Sequence, residues 1–404
     1  MRSTRATLPI AMIAACVLVA GCGGKATELI VRTTTSAANS PVSVSAGVGF
    51  PVLATKNTTR VSGNNSVANA AGVALAVYPS TVPGTHPTAV AIAPTDDWQA
   101  AIAASVLMAP PIRAPILLSG PGTLPPATAN ALHLLAPTGA GSVGGAQVIR
   151  VGDVPGGNGL KGAAIAGADP YTLAAAIDRF ATAAAGKPSP DVVIASADET
   201  NAAYSMPAAG WAAESGNPVL FVNSTGVPTA TQQALQAHQQ PHIYVLGPPS
   251  VIPDTVLDQL RKYGTVARVG DQDPAANSVA FAVYRDPPCP QNQPCAHVPG
   301  SFGWAMRSPG HGYTLVNSTR PLDAAASAPL SASGSYGPQL VLTSPDQLPS
   351  SILNFFLDYA TPGYTQEGPT AAVYNHGWVI GDPSTISVAV QAQMDSLLEV
   401  VPQK

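Results

Sequence analysis

Charge is scarce in this chain of 404 residues. Asp, Glu, Lys and Arg together make up 10% of it, 22 acidic against 18 basic, for a net charge of −4. A nucleic-acid binder needs a basic excess to displace counterions from phosphates, so that class is set aside. Aromatic residues reach only 5%, so a core must be built from aliphatic side chains and alanine. Hydrophobic residues still amount to 46%, which argues against wholesale disorder. Catalytic signatures are missing: there is no G-x-S-x-G elbow, no Walker A loop and no G-x-G-x-x-G after a first strand. The histidines (His86, His133, His238, His242, His297, His311 and His376) never form the i, i+4 pair with glutamate of a zinc-binding helix. The adjacent Asp96 and Asp97 are read as a capped loop. The expectation is a protein that is not an enzyme and carries no cofactor.

What is present begins with an address. Arg2 and Arg5 precede an apolar run from Leu8 to Ala20, which is too short to span a bilayer of about 20 residues. Val19, Ala20, Gly21 and Cys22 follow. This is the layout of a secretory signal peptide. It also resembles the bacterial lipoprotein signal, in which a cysteine after small residues is lipidated. That resemblance implies a signal over 1–21, acylated (palmitate-type) Cys22 and a membrane anchor, since two or three acyl chains hold stably. An ordinary cleaved signal with a chance cysteine is the alternative. Residues 22–58 are rich in Ser, Thr, Ala and Gly and lack helical periodicity, as a flexible tether would. Only Cys289 and Cys295 remain of the four cysteines. Outside the cytoplasm a close pair forms a disulfide; a metal site would need more ligands, and only His297 is near.

The rest of the chain repeats three times. Each unit opens with a glycine turn and a helix. The turn glycines Gly63, Gly167 and Gly270 stand 104 and 103 residues apart. Asn65, Asp169 and Asp273 follow as helix N-caps, with Pro170 and Pro274 at the first helical position. A strand, an Ala-rich helix and a second strand come next; Pro115, Pro218 and Pro338 open the second strands. A last strand ends at Gly152, Gly247 or Gly381, and the first copy lacks a clear closing helix after it. Short apolar strands alternating with helices predict parallel sheets covered on both faces. The expected fold class is α/β: three tandem Rossmann-like modules over 59–162, 163–265 and 266–404, the last with the Cys289/Cys295 insertion.

These segments resemble the cell wall-binding repeat 2 family of bacterial surface proteins. Its opening turn is matched by Arg60-Val61-Ser62-Gly63 and by Arg268-Val269-Gly270. Its Asp-Ala-Leu-Ala-Ala-Ala-Pro-Leu helix is matched by 323–330, and Asn201 and Gln99 occupy the Asp323 position. Its Pro-Ile-Leu-Leu strand is matched by Pro115, Ile116, Leu117 and Leu118, and its last strand by Tyr244-Val245-Leu246-Gly247. The resemblance implies a pseudo-threefold arrangement and noncovalent attachment to an anionic wall or envelope polysaccharide through the Pro-Ile-Leu-Leu segment. Arg113, Arg60 and Arg268 are the cations placed to serve such a polymer, while Arg60 and Arg268 also read as braces of module interfaces and the aliphatic strands as core. Gly63, Gly167, Gly270, Gln99, Asn201 and Asp323 are expected at turns and module interfaces. The chain departs from the pattern in two places: the intact strand motif occurs once, and Ala164 stands where an arginine would open the second unit. The alternative function is an envelope receptor or substrate-binding lipoprotein holding a small ligand between modules.

Overall fold

Three helices start in the same way, and the reason is local. Asn65 accepts from the Ala68 N–H, Asp169 from Tyr171 and Thr172, and Asp273 from Ala275 and Ala276. Each side chain satisfies amides that the first helical turn leaves without a carbonyl partner. Thr172 returns the bond to the Asp169 backbone and completes a capping box.

A computed structural model describes residues 53–288, 300–333, 336–364, 368 and 372–402. Cys22, Cys289 and Cys295, with the lipid and disulfide expectations attached to them, lie outside the described residues. The elements begin with β1 (Leu53–Ala54), β2 (Thr58–Val61), α1 (Ser66–Val77), β3 (Val90–Pro94), α2 (Trp98–Ala104), β4 (Ile116–Ser119), α3 (Pro126–Leu135), β5 (Val148–Val151), β6 (Gly162–Ile165) and α4 (Pro170–Ala185). They continue with β7 (Asp191–Ser196), α5 (Ala202–Ser205), α6 (Pro207–Ser215), β8 (Val219–Val222), α7 (Thr229–Ala237), β9 (His242–Leu246), α8 (Asp254–Leu260), β10 (Thr265–Val269) and α9 (Pro274–Val283). The last are β11 (Gly312–Asn317), α10 (Leu322–Ser331), β12 (Tyr336–Leu342), α11 (Ser350–Phe355), β13 (Gly363–Tyr364), β14 (His376–Ile380), α12 (Val388–Leu397) and β15 (Val401–Pro402).

Among the described residues the strands form a two-stranded pair, β13-β15, and three larger sheets. Their orders are β4-β3-β5-β6, β8-β7-β9-β10 and β12-β11-β14-β2-β1. All neighbours are parallel except β1, which runs antiparallel to β2. The expected α/β class, with mostly parallel sheets flanked by helices, is what the chain forms. The order within the first four strands is the same in each large sheet. The strand that precedes a turn glycine is always the fourth: β6 before Gly167, β10 before Gly270, β2 before Gly63. The third sheet therefore takes its fourth strand from the other end of the chain.

The sheets meet over small side chains. Helices α2, α6 and α10 touch one another, and every residue of α2 and all of α10 after Leu322 are buried. Alanine and glycine let these helices approach closely. The Gly210 N–H donates to Gln339 Oε1 at 3.0 Å, and Gln339 Nε2 donates to Ala324 O at 2.6 Å and Ser327 Oγ at 2.8 Å. A Cβ at position 210 would lie 2.7 Å from Ser331 Oγ. The few aromatics gather beside this junction: Trp211 meets Phe281, Phe302 and Trp304 edge-on. On the outer face of the first sheet a second cluster joins Leu75, Leu117, Leu132, Leu135 and Val148.

Candidate functional site

The Pro-Ile-Leu-Leu segment lies on β4, and its position limits what it can touch. Ile116, Leu117 and Leu118 are 0% exposed, and Pro115 is buried as well. Alternating side chains enter opposite faces of the sheet: Leu117 joins the outer cluster, while Ile116 and Leu118 join the main core. These side chains hold the sheet together and do not meet solvent. Arg113, just before the strand, is exposed, has φ 56°, and accepts from the Tyr78 hydroxyl through its carbonyl at 3.2 Å.

Arg60 and Arg268 occupy equivalent registers, opposite Val379 and Val245. Both are spent on acceptors within the protein, mostly backbone carbonyls. Arg60 is 0% exposed and donates to Gly381 O at 2.8 Å, Gln391 Oε1 at 2.8 Å and Ser387 O at 3.3 Å. Burial pulls its guanidinium down to about 10, with Asp382 acting the other way. Arg268 donates to Gly247 O at 2.7 Å, Ile252 O at 2.8 Å and Asp254 Oδ1 at 2.8 Å. Each arginine braces the loop leading into a closing helix, α12 or α8, using its fixed fork of donors. In the first sheet Ala164 takes this register, opposite Arg150, and no helix lies between β5 and β6. Brace and braced helix are absent together.

The turn glycines are dictated by close approach. A Cβ at Gly63 would lie 2.5 Å from Asn69 Oδ1, one at Gly167 would lie 2.3 Å from Leu173 N, and one at Gly270 would lie 2.5 Å from Asn277 Oδ1. Gln99, Asn201 and Asp323 sit near sheet boundaries. Gln99 donates to Ala197 O at 2.8 Å and Glu199 Oε1 at 3.2 Å, beside a 2.9 Å bond from Trp98 Nε1 to Glu199. Asn201 donates to Ser196 Oγ at 3.2 Å, within its own sheet. Asp323, 0% exposed, accepts from Asn69 Nδ2 at 3.0 Å and pairs with Arg320 at 3.0 Å. Burial raises its carboxyl, against the pull of Arg320, Ser66 and Asn69.

Sequence reasoning passed over Asn69 and Asn277. Asn69 Oδ1 accepts from the Gly63 N–H at 2.9 Å, and Asn277 Nδ2 donates to Tyr204 O at 3.1 Å. Both stand four residues after a helix N-cap, and that shared place was the available signal. The pair of His238 and Asp178 was also missed. His238 Nε2 lies 3.0 Å from Asp178 Oδ2 and Nδ1 lies 2.8 Å from Ser189 O. Nothing local links residues sixty positions apart.

Among the described residues, open clefts lie beside these groups. One, of about 400 Å³, lies at the C-terminal ends of the first sheet's strands, where α/β folds place ligands. Gln99 lines it with Asp96, Asp97, Asp153, Asp169 and Glu199. Asp97 is raised by burial and by Asp96 and Glu199, although backbone bonds from Ala100 and Gln99 oppose this. The other, of about 370 Å³, lies beside Pro110 and Pro111 and is edged by Lys187, Asp191, Glu214 and Asn217. Among the described residues no group of three or more His, Cys, Asp or Glu is placed to hold a metal ion. No described helix is long and apolar enough to cross a membrane.

Residues 164–257 match the family Cell wall binding domain 2 (CWB2). A search of curated proteins gives no match. Among solved structures the fold is similar to Cwp6 from Clostridium difficile, with TM-score 0.65 and 16% identity over 85% of this chain and 48% of that one. It is likewise similar to Cwp8 from Clostridium difficile, with TM-score 0.62 and 15% identity over 85% of this chain and 52% of that one. The chain thus spans about half the length of each of these structures.

Proposed function

We propose that this chain is a cell-wall-associated binding protein of the envelope, with no catalytic role, whose three α/β modules hold wall or envelope polymer noncovalently. The match of residues 164–257 to a family described as cell wall binding carries the reading. The common strand order of the three large sheets supports extending it from that segment to the whole body. The chain is exported and anchored to the membrane by lipid on Cys22, with 22–58 as tether and a Cys289–Cys295 disulfide in the last module.

Polymer contact falls to groups that reach solvent. Pro115, Ile116, Leu117 and Leu118 act as the buried strand that positions the exposed Arg113 and the turn after Ser119. Arg60 and Arg268 keep the module closed and do not face the polymer. Arg113 offers a planar pair of donors to an anionic group on the polysaccharide. The test is co-sedimentation of the Cys22→Ser protein with purified cell walls, before and after anionic polymers are stripped. Retention that disappears on stripping is expected. Retention indifferent to stripping removes the polyanion as ligand, and no retention at all removes wall binding.

A second reading, a receptor for a small ligand between modules, is favoured by one observation. The 400 Å³ cleft draws its wall from two sheets, Gln99 and Asp153 from the first and Glu199 from the second. A thermal shift with a small cationic sugar at low salt, absent in Asp153→Asn, would support it over the polymer.

A further inference from the structure

The third and fourth strands of the large sheets are not all joined alike. In the first sheet β5 passes to β6 through a loop, and in the second β9 passes to β10 through α8. In the third, α12 follows β14 but does not lead into the fourth strand. That strand is β2, from the opposite end of the chain. The closure is noncovalent, and residues 55–61 make it with partners at 376–399.

Its bonds form a compact set. The backbone of 58–61 pairs with 377–380, continued by Gly377 N–H to Asn57 O and Gly381 N–H to Val61 O, each at 2.9 Å. Thr55 Oγ1 and the Asn57 N–H donate to Asp395 Oδ1 at 2.6 and 2.7 Å. Asn57 Nδ2 donates to Asp395 O at 2.9 Å and Glu399 Oε2 at 3.1 Å, and Lys56 pairs with Glu399. Gln391 bridges inward, accepting from Arg60 and donating to Thr58 Oγ1 at 3.0 Å. Beyond β2 the chain enters α1, which packs on α10 through the Asn69–Asp323 bond.

We propose that residues 53–61 are a detachable clasp: β2 leaves β14 and α12 as a unit, opening the third sheet and loosening α1 from α10 while the second sheet stays folded. Two features favour opening at this strand. Much of the seal is polar, with Lys56 and Glu399 reaching solvent, so water replaces part of what is lost. The two other fourth strands are held near their neighbours by short covalent connections, and β2 by none. Partial openings of this kind are sub-global events that leave the rest of the fold in place, and here they would expose the buried Thr58, Arg60 and Val61. The clasp is also the first described element after the segment read as tether, so N-terminal attachment and sheet closure share one strand.

Native-state hydrogen exchange on the full Cys22→Ser chain in low urea tests the clasp. In the unaltered sequence, amides of 377–381 and 388–398 exchange at least about tenfold faster than those of 192–196 and 243–246, with a smaller urea dependence. Arg60→Met widens that gap by about tenfold again, because three acceptors lose a charged donor. Arg268→Met removes the same kind of brace from a covalently joined strand and leaves 377–381 unchanged. Equal rates and equal urea dependence in the two sets of amides overturn the proposal. So does a loosening of 377–381 by Arg268→Met as large as that by Arg60→Met. If Arg60→Met does not fold, the unaltered protein decides alone.

Discussion

Gly167→Ala isolates what the turn glycines do. The added methyl would lie 2.3 Å from Leu173 N, 2.4 Å from its Cα and 2.8 Å from its Cβ. Two of these atoms are helical backbone, which cannot swing aside as a long side chain would. The first turn of α4 must therefore move. That turn holds the Asp169 capping box, worth about 1 kcal/mol, and Leu173, whose 4% exposure puts about 2 kcal/mol of burial at stake. Partial loss of both, with overpacking strain, gives about 2–4 kcal/mol. For a body of this size that is roughly a 3–6 °C fall in Tm, read by scanning calorimetry. Gly141→Ala is the control, since a Cβ there meets nothing within 4 Å, and its Tm should hold or rise slightly by about 1 °C. If the two variants melt together, close approach is not why glycine stands at position 167.

Other outcomes follow from the same geometry. Asn69→Leu copies the residue found at the equivalent Leu173, yet strands Asp323 Oδ1 and the Gly63 N–H; urea unfolding should show a loss of about 1–3 kcal/mol, and a neutral result refutes the bond's importance. Ile116→Ala empties a fully buried site and should cost about 2–5 kcal/mol. Arg113→Ala should leave Tm unchanged but weaken wall co-sedimentation roughly tenfold; the reverse pattern would place binding on the strand. His238 is pulled below its ordinary 6.5 by burial, but the Asp178 bond and charge and the Ser189 carbonyl outweigh this and leave it raised. Its contribution is therefore fully present below 6.5 and lost as pH climbs through the higher folded value. The Tm advantage of the native protein over His238→Gln should shrink as pH rises above 6.5, and an advantage that grows would reverse the sign.

The helix starts at Asn65, Asp169 and Asp273 and the α/β class were legible because they rest on local patterns. A glycine two or three residues ahead of a capping side chain, or an apolar run between turns, carries its meaning within a few positions. The missing closing helix of the first unit was legible too, but its link to Ala164 was not, since the arginine brace shows only when β5 and β6 lie side by side. The candidate site was less legible. Arg60 and Arg268 read both as polymer ligands and as braces, and only the structure showed which loops their guanidiniums hold. Pro115, Ile116, Leu117 and Leu118 matched a polymer-binding motif and also read as core, and only burial shows them inside the sheet with Arg113 left exposed beside them.

The amino-acid order by itself determined which stretches become strands and helices and where they start, because capping, steric turns and apolar patterning act between near neighbours. Only the tertiary structure decided that the strand before each turn glycine completes the preceding sheet, and that β2 crosses from one end of the chain to close the last. A strand's backbone donors and acceptors suit any parallel neighbour, so its partner is chosen by which edges and side chains meet after the chain has folded back on itself.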